Sequence, residues 1–162
     1  MSNHLLTVKE LVVRFRVRRG LFGRDNYDVN AVNGVSFNLK EGETLGLVGE
    51  SGSGKSTIGR ALLKLAPVTS GSIHLAGKDV NNLANEVLDF RKSLQVVFQD
   101  PYSSLNPSMV VSQIIEEPLK IHFSLTEVER RHRVEQLMEQ VGLSSHQMER
   151  YPSEFSGGQR QR

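Results

Sequence analysis

At 162 residues, 38% of them apolar, the chain is about one domain long and can bury a core. Twenty Lys and Arg against 18 Asp and Glu leave a formal net charge of +2, too small to mark a nucleic-acid or anionic-membrane binder by itself. The lack of cysteine excludes disulfides, thiolate catalysis and iron–sulfur ligation, the five histidines have no metal-ligand spacing, and no apolar run reaches the ~18 residues of a membrane span.

In chain order, Leu5 to Phe15 reads as an edge or half-buried strand, and Val35 to Leu39 alternates in the same way before the turn Lys40 to Glu43. Between them Arg14, Arg16, Arg18, Arg19 and Arg24 interleave with Phe15, Phe22 and Tyr27. That pattern is compatible with a nucleic-acid patch, but the run is short and lacks basic residues at helical spacing, so a solvated loop between strands is expected. No nucleic-acid partner is expected.

The strongest signal is Gly49-Glu-Ser-Gly-Ser-Gly-Lys-Ser56, a complete G-x-x-x-x-G-K-[ST] loop between the apolar run Thr44 to Val48 and a helical stretch over Ile58 to Leu65. Gly49, Gly52 and Gly54 permit turns closed to other residues, so that successive N–H groups of Glu50, Ser51, Ser53 and their neighbours through Thr57 converge on nucleotide phosphates. Lys55 supplies a charge for the β- and γ-phosphates, Ser56 a hydroxyl for Mg²⁺, and the following helix its positive dipole end.

Further on, Ser72 to Leu75 reads as a strand, followed by a turn, and Leu94 to Phe98 as a strand whose end carries Gln99. From Asp100 the character is helical. Met109 to Lys120 is a short helix weakened by Pro118, and overlapping capping-box patterns at Ser124 and Thr126 open a longer helix through Val141. There Val134, Leu137, Met138 and Val141 form a stripe that reads as core, and Gly142 as the stop. The chain then reaches Tyr151-Pro-Ser-Glu-Phe-Ser-Gly-Gly-Gln159, with Ser156 placed to cap one more helix.

A phosphate loop, a strand-terminal Gln99, a helical insert and Ser156-Gly157-Gly158-Gln159, in that order, resemble the ATP-binding subunit of ABC transporters, where they are the Walker A motif, the Q-loop and the signature motif. Gln99-Asp-Pro-Tyr-Ser-Ser-Leu-Asn-Pro107, with the sequence around the phosphate loop and Tyr151 to Gln159, looks like the oligopeptide, dipeptide and nickel importers of that family. The resemblance implies an α/β P-loop NTPase fold: an ABC-type RecA-like core with an antiparallel β subdomain and a helical insert. Residues 1–99 would form the β subdomain and first part of the core, 100–155 the helical subdomain, and 156–162 the signature motif and the start of its helix.

It further implies ATP and Mg²⁺ as ligands, with Lys55 and Gln99 in catalysis, Ser56 and Gln99 at the metal, and Phe15, or else Tyr27, stacked on adenine. Ser156, Gly157, Gly158 and Gln159 would contact the nucleotide of a second ABC ATPase subunit across a head-to-tail dimer. The segment Tyr102 to Pro107 would dock on membrane permease subunits, placing the protein peripherally on the cytoplasmic face of the inner or plasma membrane.

The family pattern has three expected elements not found here. Phosphoryl transfer to water needs a carboxylate for Mg²⁺ and a group to orient the water. The family's apolar run ending in Asp-Glu, its D-loop and its switch histidine are missing, so the C-terminal core strands are expected to be absent. Val96 to Asp100 is the nearest mimic, with Asp100 as a metal ligand, but Gln99 interrupts it. A chain truncated in this way is expected to expose the edge at Thr44 to Val48, to be marginally folded or aggregation-prone, and to hydrolyse ATP poorly or not at all.

Overall fold

Alternating Val and Leu positions pair into one antiparallel sheet in the computed structural model, which describes residues 4–19, 25–83 and 87–162. Strand β1 (His4–Arg19) lies at its centre, against β2 (Asp25–Lys40) on one side and β3 (Ser70–Leu75) on the other. A short β4 (Lys78–Asp79) completes the order β2-β1-β3-β4. Pairs such as Val8 with Phe37, Val13 with Val32, and Val8 with Ile73 set the register, so that Val8, Leu11, Val13, Val32 and Ile73 are buried together. Irregularities between Val8 and Leu11 are absorbed at Glu10, whose φ is 47° and whose N–H and carboxylate both meet the Ser36 hydroxyl at 2.8 Å.

Both long strands extend beyond their sequence-predicted limits. The arginines Arg14 to Arg19, expected in a loop, lie in β1 and pair with Asp25 to Asn30; Phe22 and Arg24 lie outside the described residues. Regular alternation with Phe15 and Val17 carries the strand through the basic run. The Arg16 guanidinium lies 3.4 Å from Asp28 on the paired strand.

Helix α1 (Lys55–Leu62) packs Ile58 and Ala61 into the sheet's core and ends three residues short of the predicted Leu65. Helix α2 (Val87–Ser93) adds Phe90 to that core. One predicted strand is corrected: Leu94 to Phe98 is not a strand, and neither it nor Thr44 to Val48, expected to expose an edge, has a ladder partner among the described residues. Leu45, Leu47 and Val96 to Phe98 are exposed, and Val48 is 98% so. Apolar alternation defines a strand only where a neighbour supplies hydrogen bonds and covers its faces.

The chain divides into two compact units, residues 1–94 and 95–162. The second is helical: α3 (Pro101–Ser104), α4 (Val111–His122), α5 (Glu127–Gln140) and a short α6 (Gly157–Gln161). Its core gathers Leu119, Val134, Met138, Leu143, Met148 and Phe155. Val134 and Met138 of the predicted stripe are fully buried, Leu137 is half-buried, and Val141 at the helix end is exposed. Helix α5 starts at the Thr126 capping box, where the Glu129 carboxylate accepts from the Thr126 N–H at 2.8 Å and hydroxyl at 2.7 Å, and it stops at Gly142 with φ 71°.

Candidate nucleotide-binding site

Two glycines shape the phosphate loop. Gly52 and Gly54 take φ of +81° and +95°, conformations that L side chains rarely adopt. Gly54 is pressed against β2, where a Cβ would overlap the Ala31 carbonyl oxygen. Gly49, expected to turn in the same manner, takes no left-handed φ. Its missing side chain serves closeness instead, since a Cβ there would stand 2.8 Å from the Ser53 hydroxyl.

Lys55 begins α1 and reaches back across the loop. Its ammonium donates to the carbonyls of Gly49 at 2.7 Å and Glu50 at 2.6 Å, with the Ser53 hydroxyl at 3.3 Å. The Ser53 N–H donates to the Glu50 carbonyl at 3.2 Å, closing the turn. At the other end of the loop the N-terminus of α1 has no side-chain cap on Gly54 and no acidic residue in its first turn. The first N–H groups of a helix have no partner within it, so this terminus is open to an anion. The exposed Ser56 hydroxyl lies in the same turn. Glu50 and Ser51 are exposed and Thr57 half-buried. A cradle of close glycines, an uncapped helix end, an ammonium and a hydroxyl suits a magnesium-bound polyphosphate.

Phe15 pairs with Val29, two residues from the carbonyl that Gly54 abuts, and Val17 pairs with Tyr27. On a pleated ribbon these four share one face, and all are at least partly exposed. The two aromatic residues considered for adenine are therefore neighbours on one surface of the ribbon that carries the loop.

In the second unit, Gln99 sits at an exposed bend and not at a strand end. Asp100 caps α3, accepting from the Tyr102 N–H at 2.9 Å. That bond, with help from Ser103, holds its carboxyl below the usual carboxylate range. The metal-ligand reading of Asp100 is thereby replaced by a cap, and Asp-Pro at a helix start was the signal for it.

Ser156-Gly-Gly-Gln159 forms a reciprocal capping box on α6. The Gln159 N–H donates to the Ser156 hydroxyl at 3.3 Å, and the Ser156 N–H to the Gln159 side-chain carbonyl at 3.0 Å. The box leaves the N–H groups of Gly157 and Gly158 at the start of the helix, where a side-chain methyl on Gly158 would meet nothing within 4 Å.

A β-ribbon that seats a Walker-type loop, joined in sequence to a helical unit ending in a capped Ser-Gly-Gly-Gln, defines the ATP-binding cassette class of P-loop proteins. The sequence profile of the ABC transporter family matches residues 32–162, and the chain belongs to that family. It is 51% identical over 160 residues to the oligopeptide transport ATP-binding protein AppF of Bacillus subtilis, covering 98% of this chain and 49% of the relative. Identity is 47% to the di/tripeptide transport ATP-binding protein DppF of Pseudomonas aeruginosa, over 98% of this chain and 49% of that one. The glutathione import ATP-binding protein GsiA of Salmonella typhimurium is 50% identical, over 98% and 26% respectively. The chain thus spans about half, or less, of the curated relatives it matches. Among solved structures, the ATP-binding cassette MJ0796, dimeric and bound to ADP and Pi after hydrolysis, superposes with a TM-score of 0.73 at 27% identity, over 96% of this chain and 65% of that one. The fold class expected from the sequence is the observed one.

Proposed function

We propose that residues 49–57 bind MgATP and that the chain acts in energising import of peptides by an ABC transporter. The observation that carries this reading is the loop itself, with Lys55 folded over Gly49 and Glu50 beside an uncapped helix end. Lys55 would neutralise the terminal phosphates, Ser56 would hold Mg²⁺, and Phe15 would take the adenine ring. A bound Mg²⁺ would polarise the phosphates. Ser156, Gly157 and Gly158 would cap the γ-phosphate on a second cassette subunit, and Gln159 would hold that cap together from within. Tyr102 to Pro107 would face a membrane permease, from the cytoplasmic side. Among the described residues no helix is long and apolar enough to cross a membrane, and the peptide-transport names of AppF and DppF support the solute class.

The second reading is binding without turnover. One experiment separates the two: MgATP binding by the full chain, followed on the same sample by phosphate release. Binding lost in Lys55→Ala with steady release of phosphate supports the first reading, and binding without release the second. No binding by a folded sample overturns both.

A further inference from the structure

Tyr102 and Arg160 are 58 positions apart in sequence, and no local pattern links them. In the structure the Arg160 guanidinium lies over the Tyr102 ring, 4.3 Å from its centroid. The same guanidinium donates to the Ser153 carbonyl at 3.2 Å, and its Nε is buried without a partner among the described residues. On the adjacent turn, a Cβ on Gly157 would stand 3.5 Å from the Tyr102 hydroxyl. Gly157 and Arg160 are i and i+3 on α6 and share one face, so the ring lies along the first turn of that helix. Tyr102 is in turn fixed by its own N–H on the Asp100 carboxylate.

We propose that Tyr102 is a positioning residue for the Ser156–Gln159 motif, setting the direction in which the Gly157 and Gly158 amides face. The inference rests on the reading of that motif as a phosphate cap. A helix of five residues has little stability of its own. Its orientation must come from side chains that hold it, and Arg160 is clamped between an aromatic face and a carbonyl. A Cβ on Gly157 would sit in ordinary van der Waals contact with the Tyr102 hydroxyl, so the ring packs directly against the first turn of the helix.

The test compares the full chain with Tyr102→Phe, Tyr102→Leu and Arg160→Lys. The first readout is hydrogen exchange at the Gln159 and Arg160 amides, both bonded to Ser156. The second is self-association driven by MgATP. Tyr102→Leu should speed exchange and weaken association by about fivefold each, the loss expected of one cation–ring contact. Binding of MgATP to the loop at 49–56 should be unaffected. Tyr102→Phe, which keeps the ring, and Arg160→Lys, which keeps the cation, should lie within about twofold of wild type. The proposal is overturned if Tyr102→Leu behaves as wild type, or if Tyr102→Phe is as damaging as Tyr102→Leu. Faster exchange with unchanged association, or the reverse, also overturns it. Should wild type bind MgATP without associating, the second subunit is not a copy of this chain, and exchange at Gln159 and Arg160 alone decides whether Tyr102 fixes the motif's geometry.

Discussion

The Lys55 ammonium lies 2.7 Å from the Gly49 carbonyl oxygen, so the phosphate loop is tied end to end by the residue expected to grip its ligand. Lys55 therefore has two tasks, shaping the loop and meeting the phosphates. Lys55→Ala should lower MgATP affinity about 10- to 100-fold, as the loss of charge-assisted hydrogen bonds implies. Isothermal titration with the wild-type chain as reference measures it, and an affinity within twofold of wild type would contradict the assignment.

Gly54→Ala tests the seat of the loop. The new Cβ would enter a left-handed conformation and collide with the Ala31 carbonyl, at a cost of about 1–3 kcal/mol. A lowered melting temperature together with weakened MgATP binding is expected. Gly52→Ala has open space around it and should carry only the conformational part of that cost.

In the helical unit, Met138→Ala should cost about 2–5 kcal/mol, because Met138 is fully buried among Val134, Leu143 and Phe155. The readout is denaturant titration of helical circular dichroism. Val141→Ala, exposed at the end of the same stripe, should change little.

The N-terminus of α5 should respond to acid. Side-chain and backbone hydrogen bonds from Thr126 hold the Glu129 carboxyl below its ordinary value of 4.5. A depressed folded-state pKa means that the bonds stabilise above pH 4.5, weaken as pH falls through the lowered value, and are lost below it. Exchange at the amides of Glu129 and Arg130 should rise over that window in wild type, and Glu129→Gln should flatten the profile. An unchanged profile in that variant would refute the assignment.

These patterns show what kind of information the sequence carries. Thr126 with Glu129, Gly142, the Ser156 box and the loop around Gly54 are local, needing only neighbours a few residues away, and all were legible. Leu94 to Phe98 was misread because a strand is a property of a pair, and no partner for it lies among the described residues. Arg14 to Arg19 erred in the opposite direction, since charge suggested a loop where pairing with β2 makes a strand. Tyr102 over Arg160 and Gly54 on Ala31 could not be read at all, being contacts between distant segments.

Solubility should follow the exposed apolar stretches. Val48 and Val97 are 98% and 87% exposed on segments that join no strand ladder among the described residues. Val48→Lys with Val97→Lys should reduce concentration-dependent light scattering of the full chain without lowering its melting temperature. Equal scattering would place the source of association elsewhere.

The phosphate loop is anchored unevenly. Its α1 side is fixed by Ile58 and Ala61 in the core and by Gly54 on β2, whereas the run entering it through Val48 joins no strand ladder among the described residues. Nucleotide that favours the ordered loop must also favour order in that entering run, and thermodynamic reciprocity makes the converse equally true. Any polypeptide that hydrogen-bonds alongside Thr44 to Val48 should tighten MgATP, and MgATP should tighten its hold, by the same factor.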